Sequence, residues 1–479
     1  MADLPFLPVT ELSRLLDRRE ISPVDIVRAV LDRIETLDGV LCGYITLCGD
    51  AALEAARVAE RETAAGCRRG PLHGIPVAHK DVSWTKGVRT TAHSRSLLDF
   101  VPEEDATHVR RLADAGMILL GKTNTGEFAC GTTDLFGTPR NPWDLTRYTG
   151  GSSNGSANAV AAGLAVVATG TDTGGSIRCP SGLCGIVGLK PAFGRVSRHG
   201  IIPLSWSMDH VGPMTRTVAD AALMLNAMAG QDPRDPTTAS GPVPDFTAGL
   251  GEGIRGMVLG IPRQHFYEAL HPEVDAAMRA ALRHLEGLGA RLEPVDLPRA
   301  RDLGPVGPLM YRVEAFAVHA ERLRSRGHLY GRRARQKICS GAFYTAADYQ
   351  QAARVRESWI QELAQVMRRV DALVTPTLRI PAFTLEEQEQ GPPDTSWGTH
   401  HFNMSGHPAI TVPCGFTAGG LPIAMQIVGR SFDEVTVLRI AHAYEQSTDW
   451  HRRRPDERGW PRARTPLDRK GVTPRVGDA

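Results

Sequence analysis

The sequence predicts an α/β fold, a mixed central β-sheet covered on both faces by α-helices. Three observations point there. From residue 71 onward short apolar runs alternate with helix-length amphipathic stretches, the pattern of strands buried beneath covering helices. Of the 479 residues, 42% are hydrophobic and 23% are charged, enough apolar material for a substantial core and too ordinary for a disordered or fibrous chain. Between residues 20 and 440 no Pro/Ser linker or long charge block divides the chain, so residues 1–450 are expected to form one domain.

The elements follow in order. Residues 8–37 read as two amphipathic helices within an N-terminal helical region reaching residue 65. The second opens at Ser22-Pro23 with Asp25 in its first turn, which supplies a side-chain cap and an acid near the positive helix end. Strand-like runs then occur at 75–78, 117–120, 164–169, 257–261, 372–376, 409–413 and 423–428. Residues 273–288 and 346–369 read as long surface helices, charged on one side and apolar on the other. The last 29 residues, 451–479, carry nine Lys or Arg and four Asp or Glu among several prolines, and read as a basic, solvated tail.

Charge and cysteine usage narrow the function classes. The formal net charge is +2, so the chain has no global field for a nucleic-acid backbone, and no nucleic-acid partner is expected. No apolar window is long enough to cross a bilayer, so no membrane partner is expected either. The eight cysteines are scattered without a CxxC pair, which fits a reducing, cytoplasmic setting. A homodimer is compatible with the sequence.

One segment departs from the average. Residues 150–188 hold ten glycines in 39 positions, where 49 in 479 predicts roughly four. Only Asp172 and Arg178 are charged there. The segment also contains an Ala-rich helical run and the apolar stretch 164–169, so it reads as packed backbone whose N–H groups can converge on an anion. Ser152 and Ser176 each follow a Gly-Gly pair. Taken alone, each serine reads as a turn or helix cap.

Two motif matches fail on context. GSSNG at 151–155 fits the nucleophile elbow with Ser153 at its centre, but the preceding residues 146–150 are polar and turn-like where an elbow needs a strand. GMILLGKT at 116–123 fits a phosphate loop containing Lys122, but its four central residues form a strand interior, whose N–H groups are committed to pairing.

The strings GGSSNGSA (150–157), GTDTGGSIRCPSGLCGIVGLKPAFGRVS (170–197) and GIPVAHKD (74–81) resemble the amidase signature family, and the similarity extends over nearly the whole chain. The resemblance implies an amidase-signature-like α/β catalytic domain and hydrolysis of a carboxamide by a Ser–cis-Ser–Lys triad, with no metal and no other cofactor. By position it implies Ser176 as nucleophile, Ser152 as bridging serine and Lys80 as base. It further implies an oxyanion hole from the backbone N–H groups of Thr173, Gly174, Gly175 and Ser176.

Physical chemistry sets a condition on that assignment. Lys80 can accept a proton near neutral pH only if its surroundings bring it down from about 10.4 to near 7, which burial can do. Its neighbours at 75–78 are apolar, and Asp81 points to the opposite face if Lys80 lies on a strand. A bridging hydroxyl then relays the proton from Ser176 through Ser152 to Lys80. Asp172 and Arg178 read as an internal support pair, His79, His400, His401 and His407 as loop or pocket-wall residues, and Cys179 and Cys184 as small buried hydrophobes.

The substrate is the open question. Parts of the chain, including 121–131 and 138–145, resemble the glutamine-hydrolysing A subunits of glutamyl-tRNA(Gln) amidotransferase, a branch of the family. The acid that branch carries is absent from the matching region 396–408, and the stretch near its glutamine-binding arginine is replaced at 321–331. An amino-acid zwitterion left without a paired carboxylate and guanidinium is poorly held. The expected substrate is therefore a small aryl or apolar amide, with esters open to the same acyl-enzyme route. The alternative is glutamine, in the manner of the amidotransferase A subunits. Phe128, Cys130, Gly131, Thr132, Thr133 and Trp206 are the expected substrate-binding residues.

Overall fold

A computed structural model describes residues 3–131, 134–462 and 465. Eleven strands form one sheet in the order Tyr44–Leu47, Ile118–Thr123, Pro76–Lys80, Val167–Asp172, His210–Thr215, Val187–Lys190, Ala409–Phe416, Pro422–Gly429, Ala372–Pro376, Val258–Pro262 and Arg291–Val295. The sheet is mixed. Pro76–Lys80 runs parallel to both of its neighbours, whereas Val167–Asp172 and His210–Thr215 pair antiparallel.

All seven expected strands form, within a few residues of the expected ends. The strands Tyr44–Leu47, Val187–Lys190, His210–Thr215 and Arg291–Val295 carry no comparable apolar run. His210–Thr215, for example, contains Gly212 and Pro213 and is a strand because two antiparallel neighbours pair with it. A separate two-strand hairpin spans Arg140–Asn141 and Asp144–Tyr148.

The N-terminal helices Val9–Asp17, Pro23–Leu41 and Gly49–Ala64 lie where the pattern puts them. In the second, the Ser22 hydroxyl accepts from the Asp25 N–H at 3.2 Å and the Asp25 carboxylate accepts from the Ser22 N–H at 2.9 Å. Pro272–Gly287 and Ala346–Met367 are the two long surface helices. Leu303–Arg326 is longer than either, with Pro308 inside it, and it packs on Ala346–Met367. Of the C-terminal segment, residues 451–462 are mostly solvent-exposed, with Glu457 paired to Arg33 at 2.9 Å and Arg454 to Asp3 at 2.7 Å. Apart from Thr465, the remainder of the expected 451–479 tail lies outside the described residues.

Candidate active site

The site forms where two parallel strands end side by side. Val77 pairs with Val167 and His79 with Thr169, and from the last position of its strand the Lys80 side chain reaches Thr171. Lys80 is fully buried, and its Nζ donates to Ser152 Oγ at 2.8 Å and to Thr171 Oγ1 at 2.7 Å. Burial without an adjacent carboxylate pulls Lys80 down to about 7, against a weaker upward pull from Asp172 and Asp209. Asp81 faces the other way, accepting from the Thr91 N–H at 2.9 Å and lying 3.4 Å from Lys122.

The two serines reach the same cavity from different turns. Ser152 follows a cis Gly151–Ser152 peptide just before the helix Asn154–Ala161, and its carbonyl accepts from the Gly126 N–H at 3.0 Å. Ser176 is half-buried in the turn after Val167–Asp172, and its carbonyl accepts from the Ser153 N–H at 3.2 Å. Both serines line a cavity of about 1090 Å³.

Asp172 shapes that turn. Its carboxylate accepts from the N–H groups of Gly175, Ile177 and Arg178 and forms a buried ion pair with the Arg178 guanidinium at 3.0 Å. Arg178 in turn donates to Gln426 and Asn403, and Asn403 donates back to Asp172. The expected support pair is thus the centre of a satisfied buried network. It also corrects the four-donor oxyanion expectation. The Gly175 N–H is already given to Asp172 at 2.8 Å, whereas Thr173, Gly174 and Ser176 line the cavity with no such commitment among the described residues.

The expected substrate wall divides. Cys130 and Gly131 line the cavity; Thr132 and Thr133 lie outside the described residues. Phe128 does not reach it, because its ring is buried and stacked on Tyr330 with centroids 4.9 Å apart. Trp206 is 60% exposed on the surface with the Arg198 guanidinium 5.0 Å over its ring. In both cases tertiary packing consumes an aromatic face that the sequence alone assigns to substrate.

Other residues of the site carry no sequence signal of that kind. Arg312 and Asp394 both line the cavity, the former with its Nε buried and unpartnered among the described residues. Asp394 stands two residues upstream of the segment 396–408, so a comparison confined to that segment misses it. Thr171 is legible in principle, sitting one strand repeat from Thr169 in the glycine-rich block. The rejected motifs stay rejected. Ser153 Oγ is buried and donates to the Thr171 carbonyl at 3.2 Å, and Lys122 Nζ is buried, donating to the Ser83 carbonyl at 2.6 Å and Thr90 Oγ1 at 2.7 Å. His400, on the cavity wall, and His401, buried away from it, are pinned by backbone carbonyls.

Comparison with known proteins places this geometry. The model of the family described as Amidase matches residues 25–438. The A subunit of glutamyl-tRNA(Gln) amidotransferase from Moorella thermoacetica is 42% identical over 95% of this chain and 99% of its own length. The solved structure of the corresponding A subunit from Thermotoga maritima superposes with a TM-score of 0.80 at 34% identity, covering 93% of this chain and 96% of that one. Another, described as an unexpected vestigial protein complex that reveals the origins of an s-triazine catabolic enzyme, superposes with a TM-score of 0.87 at 30% identity, covering 92% and 98%.

These findings overturn two expectations. The aryl or apolar amide gives way to the alternative, because relatives matching almost end to end are named as amidotransferase A subunits. Carboxylates and guanidiniums, Asp394 and Arg312 among them, are present on the cavity wall. The exclusion of nucleic-acid partners likewise conflicts with relatives whose name contains a tRNA and whose role is that of a subunit. The chain belongs to the amidase family, the amidase-signature enzymes, and is an amidohydrolase acting on the carbon–nitrogen bonds of amides.

Proposed function

We propose that this chain is the amide-hydrolysing A subunit of a glutamyl-tRNA(Gln)-type amidotransferase, releasing ammonia from the side-chain amide of glutamine. Its near full-length similarity to named A subunits is the observation that carries the assignment. Ser176 attacks the carboxamide carbon, its proton passing through Ser152 to Lys80, and the tetrahedral intermediate collapses to an acyl-enzyme as the proton returns to the departing ammonia. The Lys80–Ser152 contact of 2.8 Å and the pKa of Lys80 near 7 support that relay. The N–H groups of Thr173, Gly174 and Ser176 meet the developing oxyanion, a role in which loss of one donor typically costs about 10²–10³ in rate.

Asp394 and Arg312 support amino-acid binding, offering a carboxylate for the α-ammonium and a guanidinium for the α-carboxylate of glutamine. Residues 1–450 act as one catalytic domain, consistent with a single sheet whose strands run from residue 44 to residue 429. A cytoplasmic site of action fits the similarity to amidotransferase A subunits; no described helix is long and apolar enough to cross a membrane.

The test is ammonia release from glutamine by the full chain, alone and with its amidotransferase partners and charged tRNA(Gln), compared with hydrolysis of anilides. Glutamine turnover that is lost in Ser176→Ala meets the expectation. Efficient anilide hydrolysis with no glutamine turnover under either condition overturns it.

A further inference from the structure

The turn that carries Ser176 is gripped from one side by Asp172, whose carboxylate takes the Gly175 N–H. A second buried carboxylate grips it from the other side. Val167–Asp172 and His210–Thr215 are antiparallel neighbours with Asp172 opposite His210, so the residues that flank this last pair, Thr173 and Asp209, meet just beyond the ladder. There the Thr173 hydroxyl donates to Asp209 Oδ1 at 2.5 Å, and both side chains are buried.

The other oxygen of Asp209 has a different partner set. Oδ2 accepts from the Leu204 N–H at 2.8 Å and the Ser205 N–H at 2.9 Å, closing the segment that brings Leu204 and Met208 to the cavity wall. Glu314 holds the same segment from outside, accepting from the Ser207 N–H at 3.0 Å and the Ser207 hydroxyl at 2.7 Å. Its helix, Leu303–Arg326, carries Tyr311 and Arg312 to that wall. Asp209 therefore stands where the wall segment 204–208 joins the turn before Ser176.

Loop capping does not account for Asp209. A cap is complete with one oxygen on the Leu204 and Ser205 N–H groups, yet Oδ1 is spent outside the loop, on a residue of the cavity wall. Ion pairing does not account for it either. Among the described residues Asp209 forms no ion pair, and Arg198, whose field reaches it, pairs with Asp235 at 3.7 Å. A buried carboxylate without a counter-charge is costly, and burial pushes this one above its ordinary value, with the Thr173 hydroxyl first among the donors that draw it back. What the arrangement delivers in return is a fixed Thr173.

We infer that Asp209 is a positioning residue for amide hydrolysis, holding Thr173 by its hydroxyl so that the Thr173 N–H stays directed at the developing oxyanion. Asp209 acts through Thr173 and does not touch the substrate. The inference rests on Ser176 as nucleophile with its neighbouring oxyanion donors, and is independent of which amide is cleaved.

The test compares Thr173→Val, Thr173→Ser, Asp209→Asn and the double variant Thr173→Val/Asp209→Asn in steady-state kinetics of the full chain. The substrate is glutamine, or an anilide should the wild type turn over only that. Outright loss of an oxyanion donor typically costs about 10²–10³ in rate, so a donor released from its anchor should cost about 10–100-fold in kcat with KM little changed. Thr173→Val and Asp209→Asn should each show that loss, Thr173→Ser should stay close to wild type because it keeps the hydroxyl, and the double variant should lose no more than the worse single. Wild-type kcat in folded Thr173→Val or Asp209→Asn, or losses that add in the double variant, overturns the inference. Should one single variant fail to fold, the kcat of the other decides. Failure of the underlying site reading shows separately, as wild-type turnover retained in Ser176→Ala.

Discussion

Lys80 Nζ and Ser152 Oγ lie 2.8 Å apart at the end of a strand that is buried along its whole length. A lysine in that position gains a hydroxyl partner and no carboxylate, so desolvation governs its protonation. The contact is the start of a proton path only where the amine is neutral.

The pH profile follows with a definite sign. Burial brings Lys80 down from 10.5 to about 7, so the neutral amine is populated above that value and kcat/KM should rise through an apparent pKa near 7. Lys80→Ala should lower kcat/KM by about 10²–10⁴ and abolish that limb. Between pH 7 and 10.5 the unfolded chain binds the extra proton, so this residue's contribution to stability rises with pH over that window. A wild-type profile flat from about pH 5.5 to 8.5 would contradict the assignment, since an ionisation near 7 must show within it.

Cutting the Asp172–Arg178 pair should cost stability and geometry together. Both side chains are fully buried, and removing one partner strands the other charge at about 3–5 kcal/mol. Burial pushes the Asp172 carboxyl up, but Arg178, with Lys190 and Asn403, outweighs it and holds it well below the ordinary carboxylate range. That stabilisation is present above the unfolded carboxylate pKa and fades only as pH falls into strong acid. Thermal unfolding of Arg178→Met at neutral pH should show the deficit; an unchanged Tm would refute it.

Gly175→Ala tests the turn beneath Ser176, the proposed nucleophile. The backbone there has φ +129°, and a Cβ would crowd Thr399 Oγ1 and sit 2.6 Å from Cys179 Sγ. Thr399 cannot swing away freely because its hydroxyl donates to the Gly174 carbonyl at 2.7 Å. Overpacking of this kind typically costs about 1–3 kcal/mol, and displacement of Ser176 should lower kcat more than it raises KM. Wild-type kcat in a folded Gly175→Ala protein would show that the turn tolerates a side chain.

The substrate wall separates into residues that matter and residues that do not. Arg312→Gln and Asp394→Asn should raise KM for glutamine with kcat little changed, since each removes a charge on the cavity wall. Trp206→Ala should leave both constants alone and shift stability by less than about 0.5 kcal/mol, as expected for an exposed ring away from the site. Steady-state kinetics with glutamine distinguishes the two groups. A KM effect confined to Trp206→Ala would reverse the assignment.

Much of this is legible in the chain itself. The seven apolar runs become strands because a run buried on both faces needs no alternation to declare itself, and Ser22 with Asp25 caps its helix through groups three residues apart. Lys80, Ser152 and Ser176 are marked by local strings, and Lys80 by its apolar neighbours. His210–Thr215 and the helix Leu303–Arg326 are not legible, since Gly and Pro in their sequences read as breaks and only paired or packed neighbours override them.

What the chain determined unaided is the kind of chemistry, amide hydrolysis, because the strings that mark the family, and with them the roles proposed for Ser176, Ser152 and Lys80, lie close together in sequence or on a buried strand. What only the tertiary structure decided is what surrounds that chemistry. It took Phe128 and Trp206 away from the cavity, spent the Gly175 N–H on Asp172, and brought Arg312 and Asp394, 82 positions apart, to its wall. Which side chains share a cavity is set by long-range packing, and that information is spread across the whole sequence rather than written in any segment of it.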